Sequence, residues 1–262
     1  MSCQMEAQGM TKPDRVTAAV LVIGDEILSG RTKDKNLGYI AEYLTHIGID
    51  VCEARVVPDI EDEIITALNA LRNRYTYVFT TGGIGPTHDD ITADAVARAF
   101  GVGISVNEEA VAMLLERIPR QELNDARLRM ARIPHGANLI ANPVSKAPGF
   151  RMENVIVMAG VPAIMQAMLD EVAPTLETAV PLTSQTVEVR EKEGDVAAPL
   201  RAIQEAMPSV QIGSYPFFED GVYGTRIVAR GRDPEAVRRA AEMIGAMAAE
   251  LAAAAKSADK SA

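Results

Sequence analysis

Residues 75–92, YTYVFTTGGIGPTHDDIT, decide the fold. Residues 75–80 are β-branched or aromatic throughout, which suits a strand. Residues 81–90 form a glycine-rich loop, and the apolar spacing from about Thr92 to Phe100 predicts a helix. Upstream, residues 17–23 (TAAVLVI) are a short apolar run of the kind found in strands buried on both faces. Residues 34–47 place Leu37, Ile40, Ala41, Leu44 and Ile47 at helical spacing, and Gly48 stops that helix. Residues 50–57 read as a strand, and residues 60–73 as a helix with Ile64, Leu68 and Leu71 on one face. The order β-α-β-α-β-loop-α predicts an α/β fold, a mostly parallel sheet with helices on both faces.

Downstream, residues 106–117 predict a helix and 124–132 a short one. Residues 134–149 are rich in Pro, Gly and Asn and read as a long structured loop. Residues 155–159 (VIVMA) read as a strand, and Pro162 suits the first turn of a helix reaching about Thr178. The pattern changes near Pro181. Strand-like 185–190, helical 195–207, strand-like 210–215 and 223–230, and an Ala-rich helix over 234–254 predict a small C-terminal α+β domain. The expected division is a disordered tail over 1–15, an α/β domain over 16–180, the small domain over 181–255 and a disordered tail over 256–262.

Composition narrows the function. Of 262 residues, 48% are hydrophobic and 24% charged, which excludes a disordered chain. No apolar run approaches the ~20 residues that span a bilayer, so no membrane partner is expected. The formal charge of −10 and the absence of any Lys/Arg run disfavour nucleic acid. An aromatic content of 4% with no Trp leaves little for base stacking. The first 15 residues lack a signal-peptide core. Cys3 falls in that tail and Cys52 in a strand pattern, with no zinc or redox spacing, so a reducing, cytoplasmic setting is expected. A small anionic ligand stays compatible with the acidic balance, because backbone N–H groups and a metal can hold it locally.

Ligands of open parallel sheets bind at the carboxyl ends of the strands. In the loop after the central strand, Thr81 leads into Gly82, Gly83 and Gly85, which let a ligand approach the main chain, and Pro86 and Thr87 continue it. The helix that follows offers free N–H groups and a dipole that favour phosphate. Asp89 and Asp90 would repel phosphate unless a divalent cation lies between, and Mg²⁺ is typically held by one or two carboxylates plus substrate phosphates. The alternative is that Asp89, Asp90 or Thr92 caps the helix. His88 is either a metal ligand or proton carrier or a surface loop residue.

A second loop, residues 24–32, leaves the first strand. Asp25 and Glu26 are candidates for a further metal ligand or for orienting a ribose hydroxyl. Ser29 and Gly30 are candidates for oxyanion hydrogen bonds, and Asn36, one turn into the helix, for pointing back into the crevice. The alternative is a common Gly-Asp-Glu turn at Gly24. In residues 142–150, Ser145 and Lys146 either contact phosphate or belong to a rigid connector. Gly160, again between strand and helix, is another candidate anion contact. His46 ends a helix and reads as structural, and His135 has no partner in sight.

Four motifs in order resemble one family. Gly24-Asp25-Glu26-Ile27-Leu28-Ser29-Gly30 with Asp34-Lys35-Asn36, then residues 81–90, then Asn142-Pro143-Val144 with Ala147-Pro148-Gly149-Phe150, then Gly160-Val161-Pro162, are similar to the signatures of the competence/damage-inducible protein A (CinA) N-terminal domain. Residues 212–216 extend the likeness into the small domain. The shared domain belongs to the molybdopterin-binding (MogA/MoaB-like) superfamily. His88 and Ser145-Lys146 are closer to the N-terminal domain of eukaryotic FAD synthases, where CinA tends to have Pro and Gly-Thr.

The resemblance implies a three-layer α/β fold with a ligand site where the two main loops meet. For the CinA-like and FAD-synthase-like branches it implies metal-dependent cleavage of a nucleotide pyrophosphate such as ADP-ribose or FAD. The catalytic set would be Asp25, Glu26, Asp89 and Asp90, with Mg, Mn or Co held by Asp89 and Asp90, and K+ as a further ion. For the MogA-like branch it implies molybdopterin binding in molybdenum-cofactor synthesis without hydrolysis. It also implies a homo-oligomer, a dimer or trimer. CinA proteins often carry a C-terminal nicotinamide-nucleotide deamidase domain, for which 262 residues leave no room, so that activity is not expected.

Overall fold

The computed structural model describes residues 13–219 and 221–259. The chain forms two compact units divided between Ala179 and Val180.

In the first unit, β1 (Val16–Ile23) is followed by a one-turn helix α1 (Asp25–Leu28), then α2 (Asn36–Ile47), β2 (Ile49–Val57), α3 (Glu61–Arg72), β3 (Tyr77–Thr81) and α4 (Thr92–Phe100). Next come β4 (Ile104–Val106), α5 (Glu108–Leu115), α6 (Asp125–Arg129), β5 (Arg132–Pro134), β6 (Asn138–Ile140), β7 (Gly149–Met152), β8 (Val155–Met158) and α7 (Pro162–Val172). The main sheet has the order β2-β1-β3-β8-β7-β6. Its first four strands run parallel, and β7 and β6 are antiparallel. β4 and β5 form a separate ribbon.

β1 explains the layering, since consecutive side chains of a strand face opposite sides. Ala18, Val20 and Val22 pack with Ile40 and Leu44 of α2 and Met165 and Leu169 of α7. Ala19, Leu21 and Ile23 pack with Ile64 and Leu68 of α3 and Val96 of α4. The sheet is therefore sandwiched between two helical layers.

Several boundaries depart from expectation. The segment 134–149 is not one loop, because residues 138–140 pair with β7. The helix expected over 106–117 begins at Glu108, because the Asn107 side chain accepts the Ala110 N–H at 2.9 Å and Val106 pairs with Arg132 in the ribbon. The helix expected from residue 34 starts at Asn36, and the Asp34 carboxylate accepts the Asn36 and Leu37 N–H groups at 3.3 and 2.9 Å.

The second unit comprises β9 (Thr183–Val189), α8 (Glu193–Ala206), β10 (Gln211–Glu219), β11 (Val222–Gly231) and α9 (Pro234–Asp259). Its antiparallel sheet has the order β10-β11-β9. Ile227 and Ala229 of β11 are buried with Val196 and Ile203 of α8 and Val237 and Ile244 of α9. α9 runs past the expected domain end at residue 255 to Asp259. Residues 1–12, with Cys3, and 260–262 lie outside the described residues. Among the described residues no helix is long and apolar enough to cross a membrane.

Candidate functional site

Three turns meet at the carboxyl rim of the parallel strands. The Gly24 N–H donates to the Val57 carbonyl at 3.1 Å, tying the end of β1 to the end of β2. Gly82, after β3, donates its N–H to the Met158 carbonyl of β8 at 3.2 Å. Asn36, at the start of α2, donates its Nδ2 to the Gly160 carbonyl at 2.7 Å. A side chain at Gly82 would not fit, and one at Gly160 would be crowded. A Cβ on Gly82 would lie 2.2 Å from the Ile23 carbonyl oxygen, and one on Gly160 would lie 3.3 Å from the Gly82 Cα. The two main loops therefore touch through backbone, as the β1–β3 pairing dictates.

The glycine loop is an internally tied turn. Gly82 and Gly83 take φ of +104° and +67°, the left-handed side that favours glycine. Thr92, the first residue of α4, closes the loop by donating its hydroxyl to the Gly82 carbonyl at 2.9 Å and its N–H to the Gly83 carbonyl at 3.0 Å. Across the tip, Asp90 Oδ2 accepts the Thr87 N–H at 2.8 Å and also the Thr87 hydroxyl. A Cβ on Gly85 would meet that carboxylate at 2.6 Å. The Asp90 carboxylate thus folds under the loop and shapes it. Thr92 is buried and Asp90 half-buried, while Pro86, Thr87, His88 and Asp89 are exposed. The Thr87 hydroxyl, shared between the two carboxylates, holds the Asp89 carboxyl below its ordinary range, helped by the Asp89 backbone and the nearby His88.

Asp59 is a residue that sequence reasoning missed. It follows β2, and its Oδ2 accepts the Asp25 N–H at 3.0 Å. Burial pushes its carboxyl above the usual range. The Asp25 N–H opposes that shift, and the charges of Asp25, Glu26 and Asp89 add to it. The carboxylates of the first loop and the glycine loop therefore act on one half-buried acid. The signal was available, since a loop leaving the carboxyl end of a strand beside β1 belongs to the same rim.

Other expectations shift. Ser29 donates its N–H to the Asp25 carbonyl at 2.9 Å and its hydroxyl to the Glu26 carbonyl at 3.3 Å, and Gly30 donates to Ile27 at 3.1 Å. These donors close the α1 turn and are not aimed at an oxyanion. Ser145 Oγ accepts an Nδ2–H of Asn142, and Lys146 Nζ pairs with Glu116, the residue after α5, at 2.6 Å. Lys146 lines a hollow with Met113, Pro143 and Glu171 rather than the glycine loop. The sequence could not show this, because α5 pairing is tertiary. His135 does have a partner, with its Nε2 3.0 Å from Ser105 Oγ. His46 Nδ1 lies 2.8 Å from the Glu42 carbonyl in the last turn of α2, a structural contact.

Two buried polar atoms at the rim, Asn36 Oδ1 and Thr81 Oγ1, have no hydrogen-bond partner among the described residues. Asn36 is only 5% exposed. Among the described residues no group of three or more His, Cys, Asp or Glu is arranged to hold a metal ion by itself. The site presents backbone, buried polar atoms and carboxylates, a set suited to a phosphorylated ligand that brings its own cation.

Comparison with known proteins shows what the two units are similar to. Residues 19–178 match the family model of a "Probable molybdopterin binding domain", and residues 181–256 match that of "FAD synthase, middle domain". A protein of Caldivirga maquilingensis is 42% identical over 165 residues, covering 61% of this chain and 64% of that protein. A CinA-like protein of Citrifermentans bemidjiense is 43% identical over 160 residues, covering 58% of this chain but only 38% of its own length. The crystal structure of the protein CinA from Thermoplasma acidophilum superposes with a TM-score of 0.59 at 35% identity, covering 62% of this chain and 99% of that one. The chain therefore belongs to the molybdopterin-binding-domain family, as a CinA-like member.

Proposed function

We propose that this protein is a divalent-metal-dependent pyrophosphatase acting on a dinucleotide such as ADP-ribose or FAD. One observation carries the reading: Asp59 Oδ2 accepts the Asp25 N–H at 3.0 Å at the strand-end rim beside the glycine loop, where the charges of Asp25, Glu26 and Asp89 all act on its half-buried carboxyl. Gathered negative charge beside a phosphate-accepting turn is balanced when a cation lies between them.

The backbone at Gly83 and Gly85 would receive the phosphates, whereas the Gly82 N–H is committed to the Met158 carbonyl. Asp89 would hold Mg²⁺, Mn²⁺ or Co²⁺ together with Asp25, Glu26 or Asp59 and the substrate's own oxygens. When bound, such a cation spreads the charge developing on the phosphoryl oxygens and lowers the pKa of an attacking water. Asp59 orients the start of α1 through the Asp25 N–H. Asp90 acts by shaping the loop, since its Oδ2 is committed to Thr87. Asn36 Oδ1 and Thr81 Oγ1 remain to accept or donate to a ligand hydroxyl.

A second reading is a molybdopterin-binding protein without turnover. It is favoured by the family match over residues 19–178. Incubating purified protein with ADP-ribose, FAD and NAD, each metal in turn, with and without K+, separates the two. AMP release is the expected result. Absence of AMP with every metal overturns the enzyme reading, and saturable molybdopterin binding then supports the second. Light scattering tests for the dimer or trimer that the family resemblance implies.

A further inference from the structure

We infer that Arg129 is a positioning residue of the glycine loop, holding its distal half from behind and supplying the positive charge that a phosphate there faces. The inference rests on the phosphate-binding reading given above and deepens it.

Arg129 ends α6 and lies half-buried against the loop. Its Nη2 donates to the Asp90 carbonyl at 3.1 Å. Most other ties of the loop are internal, through Thr92 and through Thr87 with Asp90. The Gly82 N–H anchors the near end to β8. The Arg129 bond is the corresponding anchor of the far end. Three glycines in four residues leave that segment unusually free, so an external tie decides how often it holds the receptive shape.

Arg129 also borders a small cavity with Gly83, Gly85, Asp90 and Pro148. Arg132, in the same cavity wall, is neutralised by two hydrogen bonds to Asp94 at 2.8 and 2.6 Å. Arg129 differs from it in having no carboxylate within ion-pairing distance among the described residues, and its Nε is buried without a hydrogen-bond partner. A half-buried guanidinium lacking a counter-ion favours an anion nearby. Gly83 and Gly85, whose backbone would receive the phosphate in the proposed reading, line the same cavity.

The test uses the full chain, with inorganic pyrophosphate as the probe, by calorimetry, and hydrogen exchange on peptides from residues 83–90. Removing a hydrogen bond from a charged donor predicts about ten- to hundredfold weaker pyrophosphate binding in Arg129→Met. Exchange in the loop should accelerate while α3 exchange stays unchanged. Arg129→Lys should recover part of the affinity, because it keeps the charge. Arg129→Gln replaces Arg129→Met should the latter fail to fold. Wild-type affinity in the neutral variant overturns the inference. If the wild-type protein binds no pyrophosphate, the phosphate reading fails. Exchange alone then decides, with faster loop exchange supporting the positioning role and equal exchange overturning it.

Discussion

Replacing Gly82 by Ala tests whether the two loops are joined as described. Gly82 sits at φ +104°, and its added Cβ would lie 2.2 Å from the Ile23 carbonyl oxygen. Ordinary contact begins at 3.4 Å, so the methyl group would be about 1.2 Å too close. Ile23 cannot retreat, since β1 is held between β2 and β3 and is buried on both faces. Overpacking of this kind costs about 1–3 kcal/mol, and an L side chain in the left-handed region about 1–2 kcal/mol more. The first unit should lose about 2–5 kcal/mol, or about 4–20 °C in Tm for a unit of its size. Gly30→Ala is the internal control. It too has positive φ, +72°, but nothing lies within 4 Å of its added Cβ, so only the backbone part applies. Differential scanning calorimetry should find Gly82→Ala lower than Gly30→Ala by about 2–12 °C in the transition of the first unit. Equal Tm values for the two variants would refute the backbone contact between β1 and the glycine loop.

Asp59→Asn should stabilise the protein near neutral pH. The folded-state pKa of Asp59 is raised, chiefly by burial, so the folded state holds its proton more tightly than the unfolded state. Stability from this group then falls as pH climbs from the ordinary Asp value through the raised one. The Tm advantage of the variant should be present at pH 7 and vanish on acidification to about pH 4, and a lower Tm at pH 7 would contradict it. The same variant should lose metal-dependent AMP release if the proposed enzyme reading holds. Asn36→Leu removes the bond to the Gly160 carbonyl and should lower the urea midpoint by the equivalent of about 1–3 kcal/mol, whereas a raised midpoint would show that this bond does not secure α2. Pro199 lies inside α8 and cannot donate to the carbonyl four residues before it. Pro199→Ala should raise the stability of the second unit by about 1–3 kcal/mol, and destabilisation would mean the proline ring packs more than the missing bond is worth.

The layered α/β architecture was legible because it rests on local periodicity. The strand run of residues 17–23, the helical spacing of Ile40 and Leu44, and the glycine stops each reflect contacts within a few residues. The pairing of β6 with β7 was not legible, because proline- and glycine-rich composition resembles a loop whether or not a distant strand lies alongside it. The small unit followed expectation closely, since its alternation and helical faces are strong over short spans.

For the site, the sequence by itself determined which turns carry glycine and acid, and that they leave the carboxyl ends of parallel strands. Only the tertiary structure decided which side chains those turns spend on themselves. Ser29 and Gly30 close a helical turn, Asp90 braces Thr87, and Lys146 is claimed by Glu116. It alone brought Asp59 from a neighbouring strand against Asp25, and Arg129 from a distant helix beneath Asp90. Backbone preference and hydrophobic period are properties of adjacent residues. The partner of a charged or polar group is whichever one the packed chain sets within about 3 Å of it, and no local pattern records that.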